Sequence, residues 1–123
     1  VTSMKVASFT DALAAIAGHF EASGRTLPEY GTSHLLFMRL GKTYEEAFEA
    51  ANALLSKRYA MDFTKPTKRY AALGPPADIA GFLEQFHQAG CRHFEIDFLG
   101  TPEERDAQIE QFGREVRPLL SFA

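Results

Sequence analysis

Two segments of strand length constrain the fold of this chain most strongly. The first, HLLFMRLG at residues 34–41, is apolar almost throughout, which is typical of a strand covered on both faces. The second, CRHFEIDFLG at residues 91–100, alternates with period two, so its apolar side chains share one face and His93, Glu95 and Asp97 share the other. Because a long helical pattern separates them, we expect parallel strands joined by a right-handed crossover.

Apolar residues at helical spacing predict two helices in the first half of the chain. The first covers about residues 8–23, begins at Ser8 and stops at Gly24. The second follows Thr43 and Glu46, which have the spacing of a capping box. The stretch RTLPEYGTS, which follows the first helix, is predicted to be a connector.

Two more helices are predicted in the second half. One covers residues 78–89 and ends at Gly90, as a left-handed C-terminal cap would. The other begins at a second capping box, Thr101 with Glu104, and runs to about Pro118. Residues 60–76 are broken by three prolines and are predicted to be a loop, within which RYAAL is a candidate short extended piece.

The predicted order is therefore helix, strand, helix, loop, helix, strand, helix, with two or, counting RYAAL, three parallel strands. A sheet this small leaves both of its edges open to pairing. At 123 residues the chain is a single domain with one core. We expect it either to associate with copies of itself or to form the end of a larger α/β protein.

Composition narrows the range of partners. The net charge of −3 comes from interspersed acidic and basic residues, which does not favour nucleic acid as a partner. No apolar run approaches the roughly 20 residues of a membrane span, so no membrane partner is expected. The lone Cys91 has no second thiol, no metal site is expected, and the first residues lack the order of a signal peptide. A cytoplasmic protein is the prediction. Val1 is compatible with an alternative start codon, a vector remnant or a chain cut from something longer.

The stretch at residues 72–120, ALGPPADIAGFLEQFHQAGCRHFEIDFLGTPEERDAQIEQFGREVRPLL, resembles the C-terminal end of the bacterial-luciferase-like, flavin-dependent monooxygenase family. The matching positions are Gly74, Pro75, Asp78, Ile79, Leu83, Ala89, Gly90, His93, Phe94, Glu115, Val116, Pro118 and Leu119. Upstream, FEASGRTLPEYGTSHLLFMRLGKTYEEAFEAA is similar to the family's preceding helix end, strand and helix. The resemblance thus extends over nearly the whole chain.

The resemblance implies an α/β fold that is an incomplete (β/α)₈ barrel, because a full barrel needs about 250 residues. This chain would be the last two or so β/α units, a C-terminal fragment or a truncated relative that is not active by itself. The implied cofactor is reduced FMN and the implied reaction is monooxygenation of a small organic substrate, with a flavin reductase as partner. A family variant that uses a deazaflavin cofactor for hydride transfer is a further alternative. The competing hypothesis is a non-enzymatic α/β module that forms a homo-oligomer.

In barrels of this kind ligands bind at the carboxyl ends of the strands, which here are residues 39–42 and 98–101. The candidate cofactor contacts are Phe98, Gly100 and Thr101, since the helix that follows could hold an anion. The alternative is that Thr101 only caps that helix. No catalytic residue is identified.

Arg39 interrupts an apolar strand near its end. It is expected to contact an anionic substrate or to pair with Asp97 or Glu95 across the sheet. Asp97 is the residue of the polar row that lies nearest the carboxyl end, so it is the best candidate in that row for a ligand contact. The row itself is interpreted mainly as structural pairing, because alternate residues about 7 Å apart do not share one proton.

Overall fold

The computed structural model describes residues 4–26 and 31–122. Residues 27–30 of the predicted connector lie outside the described residues. The elements are α1 (Val6–Ala22), β1 (Ser33–Leu40), α2 (Tyr44–Arg58), α3 (Thr64–Tyr70), β2 (Ala72–Gly74), α4 (Pro76–Gln88), β3 (His93–Phe98) and α5 (Pro102–Gln111). A π-helical turn at Phe112–Val116 and a 3₁₀ turn at Arg117–Leu119 continue α5.

The three strands form one parallel sheet in the order β2-β1-β3. This confirms the α/β class and the parallel strands. Of the two predicted strand numbers, two or three, the structure has three. In a complete barrel, consecutive strands are neighbours and the helices lie outside the sheet. Here the chain crosses from β2 over β1 to reach β3, so the sheet of this segment is open, with β2 and β3 at its edges.

Apolar side chains cover both faces of the sheet. On one face the α4 helix and the C-terminal turns pack against β1 through Leu36, Met38, Leu40, Ile79, Leu83 and Val116. On the other face α2 packs through Ala47, Ala51 and Leu55, with Phe37 of β1 partly buried against them. This two-sided burial explains why the β1 sequence is an apolar run rather than an alternating pattern.

The predicted loop at residues 60–76 is wrong in part, because it contains α3 and β2. Pro66 is the third residue of α3, where a helix needs no backbone N–H donor, so the proline does not prevent the helix. Polar contacts with α2 hold α3 in place: Asn52 Nδ2 donates to Thr64 Oγ1 at 3.2 Å, and Thr67 Oγ1 donates to Asn52 Oδ1 at 3.3 Å. A short helix fixed by tertiary contacts gives only a weak periodic signal in the sequence.

Two predicted helix starts are displaced by two residues. The α1 helix begins at Val6 with Lys5 as its N-cap, so Ser8 is not the cap. The α4 helix begins at Pro76, because proline suits the first helical position and its fixed φ initiates the turn. The predicted stops at Gly24 and Gly90 are confirmed, since both residues have positive φ, +74° and +109°.

Candidate functional site

The connections that leave β1 and β3 diverge at the carboxyl edge of the sheet. Residues 41–43 lead from β1 into α2 on the Phe37 face, whereas residues 99–101 lead from β3 into α5, whose continuation packs on the Met38 face. In open parallel sheets, ligands bind in the crevice where neighbouring connections separate in this way. The carboxyl edge is therefore the candidate functional site.

The turn after β3 is closed by Arg39. Its Nη1 donates to the carbonyl oxygen of Leu99 at 2.8 Å and lies 3.1 Å from Glu104 Oε2. The guanidinium is mostly shielded, with 19% of the side chain exposed. Hydrogen bonds from Arg39 and from the Thr101 backbone lower the pKa of the Glu104 carboxyl, which keeps the pair charged.

The predicted capping box at Thr101 and Glu104 is confirmed. Thr101 Oγ1 accepts from the Glu104 backbone N–H at 3.2 Å, and the Thr101 backbone N–H donates to Glu104 Oε2 at 2.9 Å. The hydroxyl oxygen and one backbone N–H at this helix start are therefore engaged within the chain. The capping interpretation of Thr101 describes the geometry seen here.

Gly100 is required by its backbone and by its surroundings. Its φ is +154°, and a Cβ at this position would lie 2.7 Å from Arg39 Nη1 and 2.7 Å from Glu104 Oε2. Side chains rarely adopt this backbone conformation, and the two neighbouring groups are held by their own ion pair. Gly100 thus lets the turn close onto Arg39.

Gln108 completes the closure and was not found by sequence reasoning. Its Oε1 accepts from the Leu40 backbone N–H at 2.9 Å, and its Nε2 donates to the Leu99 carbonyl oxygen at 2.8 Å. The side chain is buried, so it satisfies two backbone groups that no strand pairs. The sequence did hold a signal: residues 101, 104 and 108 are spaced to lie on one face of α5.

Arg39 and Asp97 both form ion pairs, but not with each other. Asp97 Oδ2 lies 2.6 Å from Arg58 Nη1, and the Arg58 guanidinium also lies 6.0 Å from the centre of the Phe37 ring. The expected pairing of Arg39 with Asp97 or Glu95 is wrong because the register places Phe37 opposite Asp97, which leaves Arg39 beyond the end of β3.

The rest of the β3 prediction follows the alternation. His93 and Glu95 are exposed, and Asp97 is partly buried beside Arg58. Phe98 points to the other face, where its ring packs edge-on against Phe112 with centroids 5.7 Å apart. Phe98 therefore belongs partly to the core on that face, next to the closed turn.

An open crevice lies beside the closed turn, at the carboxyl ends of β1 and β2. It has a volume of about 480 Å³ and is lined by Leu40, Gly41, Lys42, Glu46, Pro75, Pro76 and Gln111, so one cation and one carboxylate border it. The Gly41 backbone N–H donates to the Gly74 carbonyl oxygen at 3.1 Å, which fixes the end of β1 against β2. Lys42 brings an exposed cation to this crevice.

The charged residues that line the crevice are one cation, Lys42, and one carboxylate, Glu46. Lys42 is suited to a phosphate or carboxylate, whereas the described residues that line the crevice include no aromatic ring for a flavin to stack on. Within residues 4–26 and 31–122, no group of three or more metal-ligating side chains comes together. This edge therefore offers an anion contact and a fixed wall rather than a complete cofactor site.

Two buried titratable groups, Cys91 and His34, lie away from this edge. Cys91 is buried as expected, burial raises the pKa of its thiol, and its Sγ donates to the His93 carbonyl oxygen at 3.2 Å. His34 is 1% exposed, its Nε2 has no hydrogen-bond partner, and burial lowers the pKa of its imidazole. In the part of the chain that the structure describes, no helix is long and apolar enough to cross a membrane.

Comparison with known proteins gives matches among solved structures. No protein-family model matches the sequence, and no curated protein matches it significantly. The fold is similar to that of the coenzyme F420-dependent tetrahydromethanopterin reductase from Methanopyrus kandleri, with a TM-score of 0.69 and 18% sequence identity. The match covers 96% of this chain and 44% of that protein. The chain thus has the fold of somewhat less than half of that enzyme.

Proposed function

We propose that this chain is the C-terminal part, or a truncated relative, of a luciferase-like oxidoreductase that uses a flavin or a deazaflavin. The observation that carries the proposal is the fold similarity over 96% of the chain to a coenzyme F420-dependent reductase of which it spans 44%. The motif resemblance at residues 72–120 supports the same family independently of the fold. The whole chain, residues 1–123, then corresponds to the last two or so β/α units.

The motif resemblance and the structural neighbour favour different cofactors. The motif resemblance favours FMN and monooxygenation, whereas the neighbour uses coenzyme F420, a deazaflavin. A deazaflavin carries out hydride transfer, so the neighbour favours that reaction for the parent protein. We give F420 preference because it rests on a structural match, and FMN remains the alternative.

The proposed roles at the carboxyl edge differ between its two halves. The turn with Phe98, Gly100 and Thr101 forms a fixed wall of the cofactor site, held by Arg39. Lys42 provides the charged contact, because it is exposed and lines the crevice. Asp97 supports this wall through its ion pair with Arg58. The remaining walls and the catalytic residues would come from other strands of the barrel.

A titration tests this proposal. Oxidised F420 and FMN are added separately to the purified chain, and binding is followed by cofactor fluorescence and by backbone amide shifts. We expect weak binding, with shifts at residues 41–43 and stronger binding of F420 than of FMN. Preference for FMN would move the assignment to the flavin branch, and the absence of shifts at the carboxyl edge with both cofactors would overturn the site.

The gene sequence tests the fragment part of the proposal. Reading upstream of Val1 in frame, we expect codons for the earlier strands of a barrel. A reading frame that starts at this residue and encodes only this chain would contradict the fragment. The remaining hypothesis would be a truncated relative, which needs a second copy or another partner to complete its fold.

The second candidate function is an α/β module that forms homo-oligomers. It is favoured by the outer edge of β3, which pairs with no other strand among the described residues. The exposed side chains of His93 and Glu95 alternate along β3 with its partly buried apolar residues. Open edges of this kind associate with further strands unless they are protected.

Light scattering over a range of concentrations separates the two candidates. The module predicts a stable oligomer that dissociates when Ile96→Pro removes a backbone N–H from the β3 edge. The control is Ile109→Ala, which trims an exposed apolar side chain of α5 and leaves the β3 edge in place. A monomeric wild-type chain at every concentration would contradict the module.

A further inference from the structure

A second cleft lies between the start of α1, the end of α3 and the second half of α4. Its volume is about 660 Å³, within the range of small-molecule sites. Four cationic side chains line it: Lys5 at the start of α1, and Lys65, Lys68 and Arg69 on α3. Among the described residues that line the cleft, none is acidic. This concentration of positive charge occurs on a chain whose net charge is −3.

None of the four cations forms an ion pair with another described residue, although Lys65 interacts electrostatically with the Asp62 carboxylate. The ion pairs formed by the described residues involve Arg39, Arg58 and Arg114 instead. Lys68 Nζ lies 5.2 Å from the centre of the Phe48 ring, a contact that leaves its positive charge in place. The nearby Asp62 carboxylate accepts from the backbone N–H and hydroxyl of Thr64, at 3.0 and 2.6 Å.

The start of α1 adds to the positive potential. Its N-cap, Lys5, supplies no side-chain acceptor, and its first turn holds no acidic residue. The starts of α2, α4 and α5 each carry at least one acidic residue. The first N–H groups of a helix have no acceptor within the helix, so they reinforce attraction of an anion by the neighbouring lysines.

The floor of the cleft is apolar and aromatic. Phe82 and Phe86 of α4 line it, together with Met4 and Val6 from the start of α1. Phe86 is buried, and its ring packs edge-on against Phe9 with centroids 5.8 Å apart, so it supports the floor from below. An apolar floor beneath a ring of cations matches a ligand that has an anionic head and an apolar body.

The number of cations in the cleft indicates how much negative charge the anionic group of the ligand carries. A phosphate monoester carries about −1.5 to −2 at neutral pH and offers three acceptor oxygens. It can therefore engage several of these cations at once, whereas a carboxylate carries a single charge. The four cations are best matched by a dianion.

We propose that this cleft binds a phosphate monoester with an apolar or aromatic body. The site is separate from the carboxyl edge, because α4 starts there at Pro76 and returns toward the beginning of β3. The cleft is lined by Phe82, Gln85 and Phe86 from its second half. The proposal thus goes beyond the cofactor function, and a failed cofactor titration at the carboxyl edge leaves it intact.

Three probes separate the parts of the ligand: phenyl phosphate, inorganic phosphate and phenol. Amide shifts of the full chain are recorded with each, at constant ionic strength. We expect phenyl phosphate to bind at least about tenfold more tightly than either of the others, with shifts at the start of α1 and in α3 and α4. Equal affinity for inorganic phosphate would reduce the cleft to a non-specific cationic surface, and equal affinity for phenol would remove the anion from the proposal. Either result overturns it.

A pair of double variants tests the residues. Lys65→Gln with Arg69→Gln removes two charges from the cleft and is expected to weaken phenyl phosphate about tenfold or more. Lys57→Gln with Arg105→Gln removes two exposed charges elsewhere and gives the same change in net charge. The control is expected to bind as the wild type does. Equal weakening in both variants would overturn the site, and circular dichroism establishes that both remain folded.

Discussion

Two connections at the carboxyl edge of one sheet are built in opposite ways. The turn after β3 is closed by Arg39, Glu104 and Gln108, and its glycine leaves no room for a side chain. The connection after β1 borders an open crevice to which Lys42 brings a cation. The polar groups of the closed turn are engaged within the chain, whereas Lys42 at the open crevice is exposed. Substitutions in the turn should therefore affect folding, and those at Lys42 should affect binding.

The largest effect is expected from Gly100→Ala. The new Cβ would meet Arg39 and Glu104 at 2.7 Å, on a backbone with φ of +154°. We expect a loss of about 2 to 3 kcal/mol in the free energy of unfolding, measured by urea denaturation. Gly113→Ala is the control, because a Cβ there has nothing within 4 Å. A loss in the control as large as that in Gly100→Ala would remove the special role of the closed turn.

Gln108→Ala should be next in size. It leaves the Leu40 N–H without its buried partner, whereas the Leu99 carbonyl oxygen keeps its hydrogen bond from Arg39. The expected loss is about 2 kcal/mol, the cost of leaving such a group unsatisfied. Gln88→Ala, at the exposed end of α4, provides the comparison and should change stability little. If both variants unfold at the same urea concentration, Gln108 does not stabilise the edge.

His34, at the start of β1, should make the stability of the fold depend on pH. Burial lowers the pKa of His34 below 6.5 in the folded chain, so the unfolded chain binds the proton more readily. Stability should therefore fall as the pH decreases below about 6.5, the unperturbed value. His34→Phe keeps the packing on Phe86 and should remove this part of the profile. An unchanged slope between pH 7 and 5.5 in the variant would contradict the assignment.

Glu104→Gln probes the charge of the closed turn at lower pH. The folded pKa of Glu104 is lowered from 4.5, so its contribution is present above that value and is lost as the pH falls through the folded pKa. Because half of this side chain is exposed, we expect a loss of only about 0.5 kcal/mol at neutral pH. The variant should also lose less stability than the wild type on acidification below pH 4.5. A parallel acid profile would show that the ion pair contributes nothing.

The smallest effect on folding is expected for Lys42→Gln. The exposed cation is removed from the crevice, and stability should stay within about 0.5 kcal/mol of the wild type. Affinity for an anionic cofactor should nevertheless fall several-fold. Lys57→Gln, an exposed cation on α2, is the matched control for net charge. Unaltered cofactor affinity in Lys42→Gln would assign the charged contact to another residue.

Local patterns predicted the elements that depend on local physics. Period-two alternation identified β3, helical spacing identified the long helices, and the capping box at Thr101 and Glu104 forms as its spacing indicates. At Thr43 and Glu46 only half of the predicted box forms, because Thr43 Oγ1 accepts from the Glu46 N–H and no reciprocal bond is present. The α3 helix and β2 were harder, because their seven and three residues are held by contacts with α2 and β1. Such contacts join residues that are distant in the sequence, and no local periodicity reports them.

The position of the candidate site could be predicted from the sequence, but the contacts between its residues could not. The strand ends indicated residues 39–42 and 98–101, and the structure places both at one edge of the sheet. The partner of Arg39 required the register, since a shift of one residue changes which side chains are opposite each other. Gln108 required the position of α5 relative to that edge. Which connection is closed and which is open is therefore a property of tertiary packing.

The central claim is that a cofactor contacts the open crevice while the closed turn stays fixed. The most direct test is an amide-shift titration of the wild-type chain and Lys42→Gln with F420. We predict that the largest shifts in the wild type occur at residues 41–43, that residues 99–101 shift less, and that Lys42→Gln weakens the response. Largest shifts at residues 99–101, unaffected by Lys42→Gln, would contradict the account.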